Sequence, residues 1–186
     1  ELQRLGIDPY PAAEYEITTL VADLRAAFAD KLGAETQGGY ESHLDYKEDA
    51  RWGRVRLAGR LMSFRIMGSA SFAELQDSSG RTQLYFRRDD LCPGEDKTLY
   101  NNVFKKLLDI GDIIGVEGYV FTTQTGELSV YVTSFTLLNK ALRPLPVVKE
   151  VVNEQTGEKE VYDAFTDPEQ RYRQRYVDLI VNPHVR

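Results

Sequence analysis

Residues 71–87 read Ser71-Phe72-Ala73-Glu74-Leu75-Gln76-Asp77-Ser78-Ser79-Gly80-Arg81-Thr82-Gln83-Leu84-Tyr85-Phe86-Arg87. Ser71, Ala73 and Leu75 alternate with Phe72, Glu74 and Gln76. After Asp77-Ser78-Ser79-Gly80, Thr82, Leu84 and Phe86 alternate with Gln83, Tyr85 and Arg87. A period of two puts one set on a buried face and the other outside, so each run predicts a strand. The tetrapeptide between them is turn chemistry, because Asp and Ser side chains bond their own backbone and glycine accepts the dihedrals a turn requires. Upstream, Val55, Leu57, Gly59 and Leu61 alternate with Arg54, Arg56, Ala58 and Arg60, which predicts a strand before these two. Downstream, a loop around Pro93-Gly94 leads to a short helix at 98–108. Val103, Phe104, Leu107 and Leu108 lie on one side of it, with Lys105 and Lys106 outward. Residues 113–122 and 128–138 predict two further strands joined across Thr125-Gly126.

The order strand, strand, strand, helix, strand, strand predicts a mainly β fold. Its core is a five-stranded OB-fold, a Greek-key barrel with a helix between strands three and four. Gly111, Gly115 and Gly118 fit neither the GxGxxG nor the Walker spacing and fall at a strand entry, so they read as barrel-corner glycines rather than a phosphate loop. Ahead of the barrel, Pro9-Tyr10-Pro11 predicts irregular backbone. Thr18 or Thr19 predicts the N-cap of a helix running to about Leu32, stopped by Gly33, with Leu20, Leu24, Phe28 and Leu32 as its apolar stripe. After the barrel, Arg143-Pro144-Leu145-Pro146 stiffens the exit. Residues 147–152 and 159–162 predict a hairpin, and Asp167-Pro168-Glu169 opens a helix that stops near Asn182-Pro183. The organisation expected is an N-terminal helical extension over 1–50, the OB-fold over 51–142, and a linker with hairpin and helix over 143–186.

Composition narrows the function. The chain has 186 residues, 42% hydrophobic and 28% charged, which fits one globular core and excludes wholesale disorder. No apolar run reaches the roughly 20 residues needed to cross a bilayer, and the N-terminus shows no secretory pattern, so a cytoplasmic protein without membrane contact is expected. The sequence begins at Glu1 without an initiator Met, which reads as a processed chain or a piece of a longer one. Cys92 is the single cysteine and His43 and His184 the two histidines, too few for a disulfide framework, a Cys-rich zinc site or a Cys–His nucleophile pair. No metal site is expected. The net charge is -6, but it is unevenly spread. Residues 1–50 carry 4 basic and 11 acidic side chains, whereas 51–88 carry eight arginines against Glu74 and Asp77. A basic island in an acidic chain attracts a polyanion locally; it is also what a solvated sheet face can look like.

With the small apolar positions inside, the outer face carries Arg54, Arg56 and Arg60 from strand one, Phe72 from strand two, and Gln83, Tyr85 and Arg87 from strand three. Arg65 falls in the loop between strands one and two. Unstacked bases need a flat apolar partner and directional hydrogen bonds to their edges, and their phosphates need cations, so this set suits single-stranded nucleic acid. Singly, each residue has a plainer reading: Phe72 could lie beneath the N-terminal helix, and Gln83 could be ordinary polar surface. A general single-strand-binding or protein-interaction module is the alternative at this point.

Longer words then become specific. Gly59-Arg60-Leu61-Met62, Ile66-Met67-Gly68, Ser71 to Asp77, Gln83-Leu84-Tyr85 and Arg87-Arg88-Asp89-Asp90-Leu91 resemble the N-terminal anticodon-binding OB-fold domain of class II lysyl-tRNA synthetases of bacterial type. Phe104-Lys105-Lys106, Thr125-Gly126-Glu127-Leu128-Ser129, Lys140 to Pro146 and Arg171 to Ile180 continue the resemblance, which covers essentially the whole chain. The aspartyl and asparaginyl enzymes share the barrel and are the nearest alternatives within the class.

The resemblance implies a role for particular residues. Phe72 matches the aromatic that stacks on an anticodon uridine, Arg65 and Gln83 match residues that hydrogen-bond the bases, and Glu127 matches an acidic residue facing the anticodon. A uracil edge offers two carbonyl acceptors and the N3–H donor, which guanidinium, carboxamide and carboxylate can meet. The partner implied is the anticodon loop of a lysine tRNA. A parent enzyme would use ATP and Mg2+ to attach lysine to that tRNA, and would be a homodimer. The resemblance makes 143–186 the linker and the start of a catalytic domain that is otherwise missing; no run here resembles the class II motifs that hold ATP, so no catalytic residue and no cofactor is expected in this chain. Alone it is expected to be inactive; the family's main dimer contacts lie largely in the missing catalytic part, which leaves both a monomer and a dimer open for this chain.

Overall fold

The alternation that marks the strands also builds the core. In this computed structural model β1 spans Val55–Met67, β2 Ala70–Gln76, β3 Arg81–Arg87, β4 Ile113–Thr122 and β5 Leu128–Asn139. They close into a barrel of order β1-β2-β3-β5-β4, antiparallel throughout except for the parallel β3–β5 pair. Every residue is described except 12, 31–34, 37–38, 41–43, 147–148, 153–158, 163–164, 183–184 and 186; for 35–36, 39–40, 149–152 and 159–162 the backbone alone is described. Val55, Leu57, Leu61, Ala73, Leu75, Leu84, Phe86, Val116, Val130 and Val132 fill the interior. Burying a side chain of this size contributes about 1.5–3 kcal/mol each, which makes the inward phase of each strand hard to invert.

Strand one differs from its sequence reading. It does not stop near Leu61 but runs to Met67, so Arg65 is a strand residue paired with Phe72 and not part of a loop. The cause is a bulge between Leu61 and Ser63, where Leu61 and Met62 are both buried in succession. A bulge inserts one residue and resets the phase, so a search for strict alternation loses the strand there. A tight turn at Gly68, with φ 65°, joins β1 to β2.

Gly115 and Gly118 lie within β4 and serve close packing. A Cβ on Gly115 would fall 2.5 Å from the Tyr15 ring, and one on Gly118, beside a second register shift, 1.9 Å from the Tyr131 carbonyl oxygen. No loop for phosphate forms around them.

The helix between strands three and four is a π-helix over Leu99–Leu107, with Tyr100, Val103 and Phe104 buried. Its wider turn lets Tyr100 stack on Phe104 at 5.4 Å while Phe104 packs on Phe86 at 4.3 Å, plugging that part of the barrel. A further short helix, Arg88–Leu91, follows β3 directly.

Helix α1, Val21–Phe28, is capped otherwise than its own sequence suggests. The N-cap position is Leu20, and the Asp77 carboxylate accepts from the Val21 N–H at 2.8 Å while Ser79 Oγ accepts from Ala22 N–H at 2.9 Å. Thr18 is occupied elsewhere: its backbone N–H donates to the Arg56 carbonyl and its hydroxyl accepts from the Arg56 N–H. The turn of the barrel therefore supplies the cap. Val21, Leu24 and Phe28 are buried, with Phe28 edge-on to Trp52 at 5.1 Å, while Leu20 is exposed; Leu32 and Gly33 lie outside the described residues.

The chain divides into two compact units, Glu1–Leu142 and Arg143–Arg186. In the second, β6 (Lys149–Val152) pairs antiparallel with β7 (Lys159–Tyr162); the turn between them lies outside the described residues. Asp167 caps the helix that follows by accepting from Gln170 N–H at 2.8 Å, with Pro168 in its first turn. The single helix expected there is two, Pro168–Arg173 and Arg175–Val181, broken at Gln174. The buried Asp178 accepts from Arg171, Arg175 and Asn182 at 2.7–2.8 Å and so holds the two pieces together. Among the described residues no helix is long and apolar enough to cross a membrane.

Candidate nucleic-acid interface

Closure of the barrel aligns one outward residue from each strand. Arg65 on β1 pairs with Phe72 on β2, Phe72 with Tyr85 on β3, Tyr85 with Tyr131 on β5, and Tyr131 with Tyr119 on β4. The rings touch in sequence: Phe72–Tyr85 at 5.0 Å, Tyr85–Tyr131 at 5.1 Å, and Tyr131 stacked on Tyr119 at 4.8 Å. The next row pairs Glu74 with Gln83, Gln83 with Ser129 and Ser129 with Phe121. Phe72 is half-buried, neither sealed inside nor covered by the leading segment. Tyr85 packs on it at a tilt of 52°, and part of the side chain remains accessible to a planar ligand.

A cleft of about 270 Å³ gathers all four residues singled out from the sequence, Arg65, Phe72, Gln83 and Glu127, with Arg25, Ser63 and Glu74 also in its wall. A second hollow of about 470 Å³ shares Arg65, Phe72 and Gln83 and continues over Tyr85 and Phe121 to the loop 123–125. Arg65 is exposed, and among the described residues no hydrogen bond or ion pair holds its guanidinium. Gln83 is fixed differently. Its Nε2 donates to Ser129 Oγ at 2.9 Å, and that hydroxyl donates to the Glu127 carbonyl at 3.1 Å. One amide hydrogen and the carboxamide oxygen remain for a ligand. Glu127 sits in a turn that needs Gly126 at φ 77°, closed by Gly126 N–H to the Thr123 carbonyl and by Thr123 N–H to the Glu127 carbonyl. Its carboxylate lies 3.6 Å from Arg25 Nη2 of α1.

The other arginines of the basic island do not join the site. Arg54 pairs with Glu117 at 2.7 Å, and Arg56 with Glu16 at 2.7 Å beneath the Tyr15 ring. Arg60 donates to the Gly111 carbonyl at 2.7 Å, and burial lowers its pKa. Arg81 is bound by Gln76 and Glu74, Arg87 by Asp90, and Arg88 by Asp89. The expectation that Arg54, Arg56 and Arg60 serve the ligand face is therefore corrected. They sit where β1 meets β4 and the leading segment, and their charge is consumed within the chain.

Three ring residues of this face were missed in the sequence: Tyr119, Phe121 and Tyr131. The signal was present, since they alternate with the buried Val120, Val130 and Val132. Arg25 had no such signal, because only docking of α1 brings it to the cleft. The Tyr131 hydroxyl donates to the Asp90 carboxylate, and burial, with that bond next, raises its pKa. Burial, then the charges of Asp45 and Asp90, pushes the Tyr119 phenol up to about 12. Both remain neutral rings at ordinary pH.

A closed five-stranded barrel with an aromatic row and a polar cleft on its β2–β3 face has the architecture of nucleic-acid-binding OB-folds. Residues 55–138 match the profile of OB-fold nucleic acid binding domains of the tRNA anticodon type, in agreement with the closed barrel these residues form. Over its whole length it is similar to lysine–tRNA ligases. The identity is 55% with that of Porphyromonas gingivalis strain W83, covering 100% of this chain and 28% of the relative. It is 53% with that of Azobacteroides pseudotrichonymphae (98% and 32%) and 49% with that of Christiangramia forsetii (100% and 28%). The chain thus spans less than a third of the length of these relatives.

Proposed function

We propose that this chain is the anticodon-reading module of a lysine–tRNA ligase and that its cleft takes a uridine of the lysine anticodon. The observation that carries the reading is the convergence of Arg65, Phe72, Gln83 and Glu127, far apart in sequence, on one cleft of about 270 Å³. The base lies on the Phe72 ring. Arg65 donates to a carbonyl of its edge, the carboxamide of Gln83 bonds a second position, and the Glu127 carboxylate accepts from N3–H. A carboxylate there favours uracil over cytosine, whose unprotonated N3 is an acceptor and repels it.

In the longer protein this module would direct the attachment of lysine to tRNA, with ATP and magnesium held by parts outside this chain, in a homodimer in the cytoplasm. No residue described here is assigned to that chemistry. The test is direct: a fluorescent lysine anticodon hairpin titrated with the chain at moderate salt, against a hairpin with a scrambled loop and a poly-T oligonucleotide. The uridine hairpin is expected to bind at least about tenfold tighter than either, equal to roughly 1.4 kcal/mol. Equal binding of all three would replace the anticodon reading with that of a general single-strand binder.

A further inference from the structure

Helix α1 lies outside the matched barrel segment, yet it contributes a side chain to the cleft. Arg25 uses both ends of its guanidinium: Nε donates to the Arg81 carbonyl at 2.8 Å and Nη2 faces Glu127 Oε1 at 3.6 Å. The helix itself is fixed by the Asp77 and Ser79 bonds to its first two N–H groups. The two side chains of the ion pair are 53% and 51% exposed, so the pair adds little to stability. Its effect is geometric. The carboxylate stands on a turn at the end of a loop, and among the described residues its one cationic neighbour is Arg25, itself tethered to a strand backbone. A planar guanidinium held at one nitrogen defines where the carboxylate can rest, which a lysine ammonium would not do. It faces one carboxylate oxygen at ion-pair distance, without a hydrogen bond, and leaves the other to a ligand.

We infer that Arg25 is a specificity-positioning residue: through Glu127 it sets discrimination between uracil and cytosine in the cleft. The inference rests on the proposed anticodon reading and adds the leading helix to it. Removing the guanidinium lets the carboxylate turn into solvent, and the N3–H acceptor is then present but no longer aimed. Loss of a cation also weakens attraction to any RNA, but by the same factor for a uridine and a cytidine hairpin. The ratio of the two affinities separates the roles.

The experiment measures that ratio with hairpins differing only in the recognised base, for the full 186-residue chain and for R25M, E127Q and the double variant. R25M keeps the apolar stem that packs the helix and removes the head; circular dichroism melts confirm that each variant is folded. The unmodified chain is expected to prefer uridine about tenfold, the scale of one hydrogen bond to a charged group. R25M and E127Q should each cut the preference at least about threefold, and the double variant should do no worse than E127Q alone, because Arg25 acts through Glu127. A preference in R25M within about twofold of the unmodified chain overturns the inference, as do two losses that multiply in the double variant. Both outcomes leave the anticodon reading standing. An unmodified chain that does not distinguish the uridine hairpin from a scrambled loop overturns that reading and this inference together. R25A supplies the same comparison should R25M fail to fold.

Discussion

Phe72 shows how much one residue depends on its phase. One position earlier or later it would point into the barrel among Ala73, Leu75 and Leu84 and would be core. Placed outward, it is half-buried between Arg65 and Tyr85, its ring 5.0 Å from that of Tyr85 and tilted by 52°, and it lines the cleft. A base stacked there gains about 1–3 kcal/mol, so Phe72→Ala should weaken binding of the uridine hairpin by about fivefold to 150-fold in anisotropy titrations. Phe72→Tyr should retain most of the affinity, because the ring face persists. A loss for Ala matched by an equal fall in thermal stability would mean the ring is mainly packing. Gln83 makes the same point for polar groups: its amide nitrogen is tied to Ser129, so a ligand meets a preset oxygen rather than a freely turning side chain.

At the scale of elements, the α1–barrel junction is built on one carboxylate. Asp77 accepts from Val21 N–H of the helix and from the backbone of Ser79 and Gly80 in its own turn. Burial alone would raise its pKa, but these bonds outweigh it and hold the carboxyl below its ordinary value of 3.8. A depressed folded-state pKa stabilises the folded chain fully above the unfolded value, and that contribution is lost as pH falls through the folded one. Asp77→Asn should therefore lower stability by about 1 kcal/mol at pH 7, the scale of a lost helix cap, and the difference should close as the pH falls below about 4. Paired melts at pH 7 and pH 3 read this. A gap that stays constant into acid would show that charge at Asp77 does not tie the helix down. Much of this layer was legible: the five strands, their inward residues and the Asp77 turn all follow from alternation and turn chemistry. The bulge after Leu61 was not, because two successive buried residues break the pattern that defines a strand, and the true cap of α1 was not, because it comes from 56 residues away.

At the scale of the whole chain, each of the two units has buried hydrophobic residues of its own. The described core cluster runs from Leu2 to Leu137, all within Glu1–Leu142, while Phe165 and Val177 are buried in the second unit. A chain ending at Leu142 is expected to unfold in a single transition and to bind the uridine hairpin within about twofold of the full chain, since every strand of the barrel and every residue lining the cleft lies within Glu1–Leu142. Calorimetry and the same titration test this; a truncated chain that aggregates or loses binding would show that 143–186 supports the barrel.

Charge is where the chain and its sequence part most clearly. Eight arginines in 51–88 suggested a broad cationic face, yet folding pairs six of them with Glu16, Glu74, Glu117, Asp89, Asp90 or a backbone carbonyl, lays Arg51 over the Trp52 ring and leaves Arg65 open in the cleft. The sequence by itself determined the barrel, its inward and outward faces and the identity of the aromatic and polar residues on β2 and β3, because a period of two is a local property. Only the tertiary structure decided which cations remain free, that Tyr119, Phe121 and Tyr131 extend the aromatic row, and that Arg25 meets Glu127. The pairs Arg56–Glu16, Arg60–Gly111 and Arg25–Glu127 join segments 40, 51 and 102 residues apart, and such contacts exist only once the strands have closed and the helix has docked.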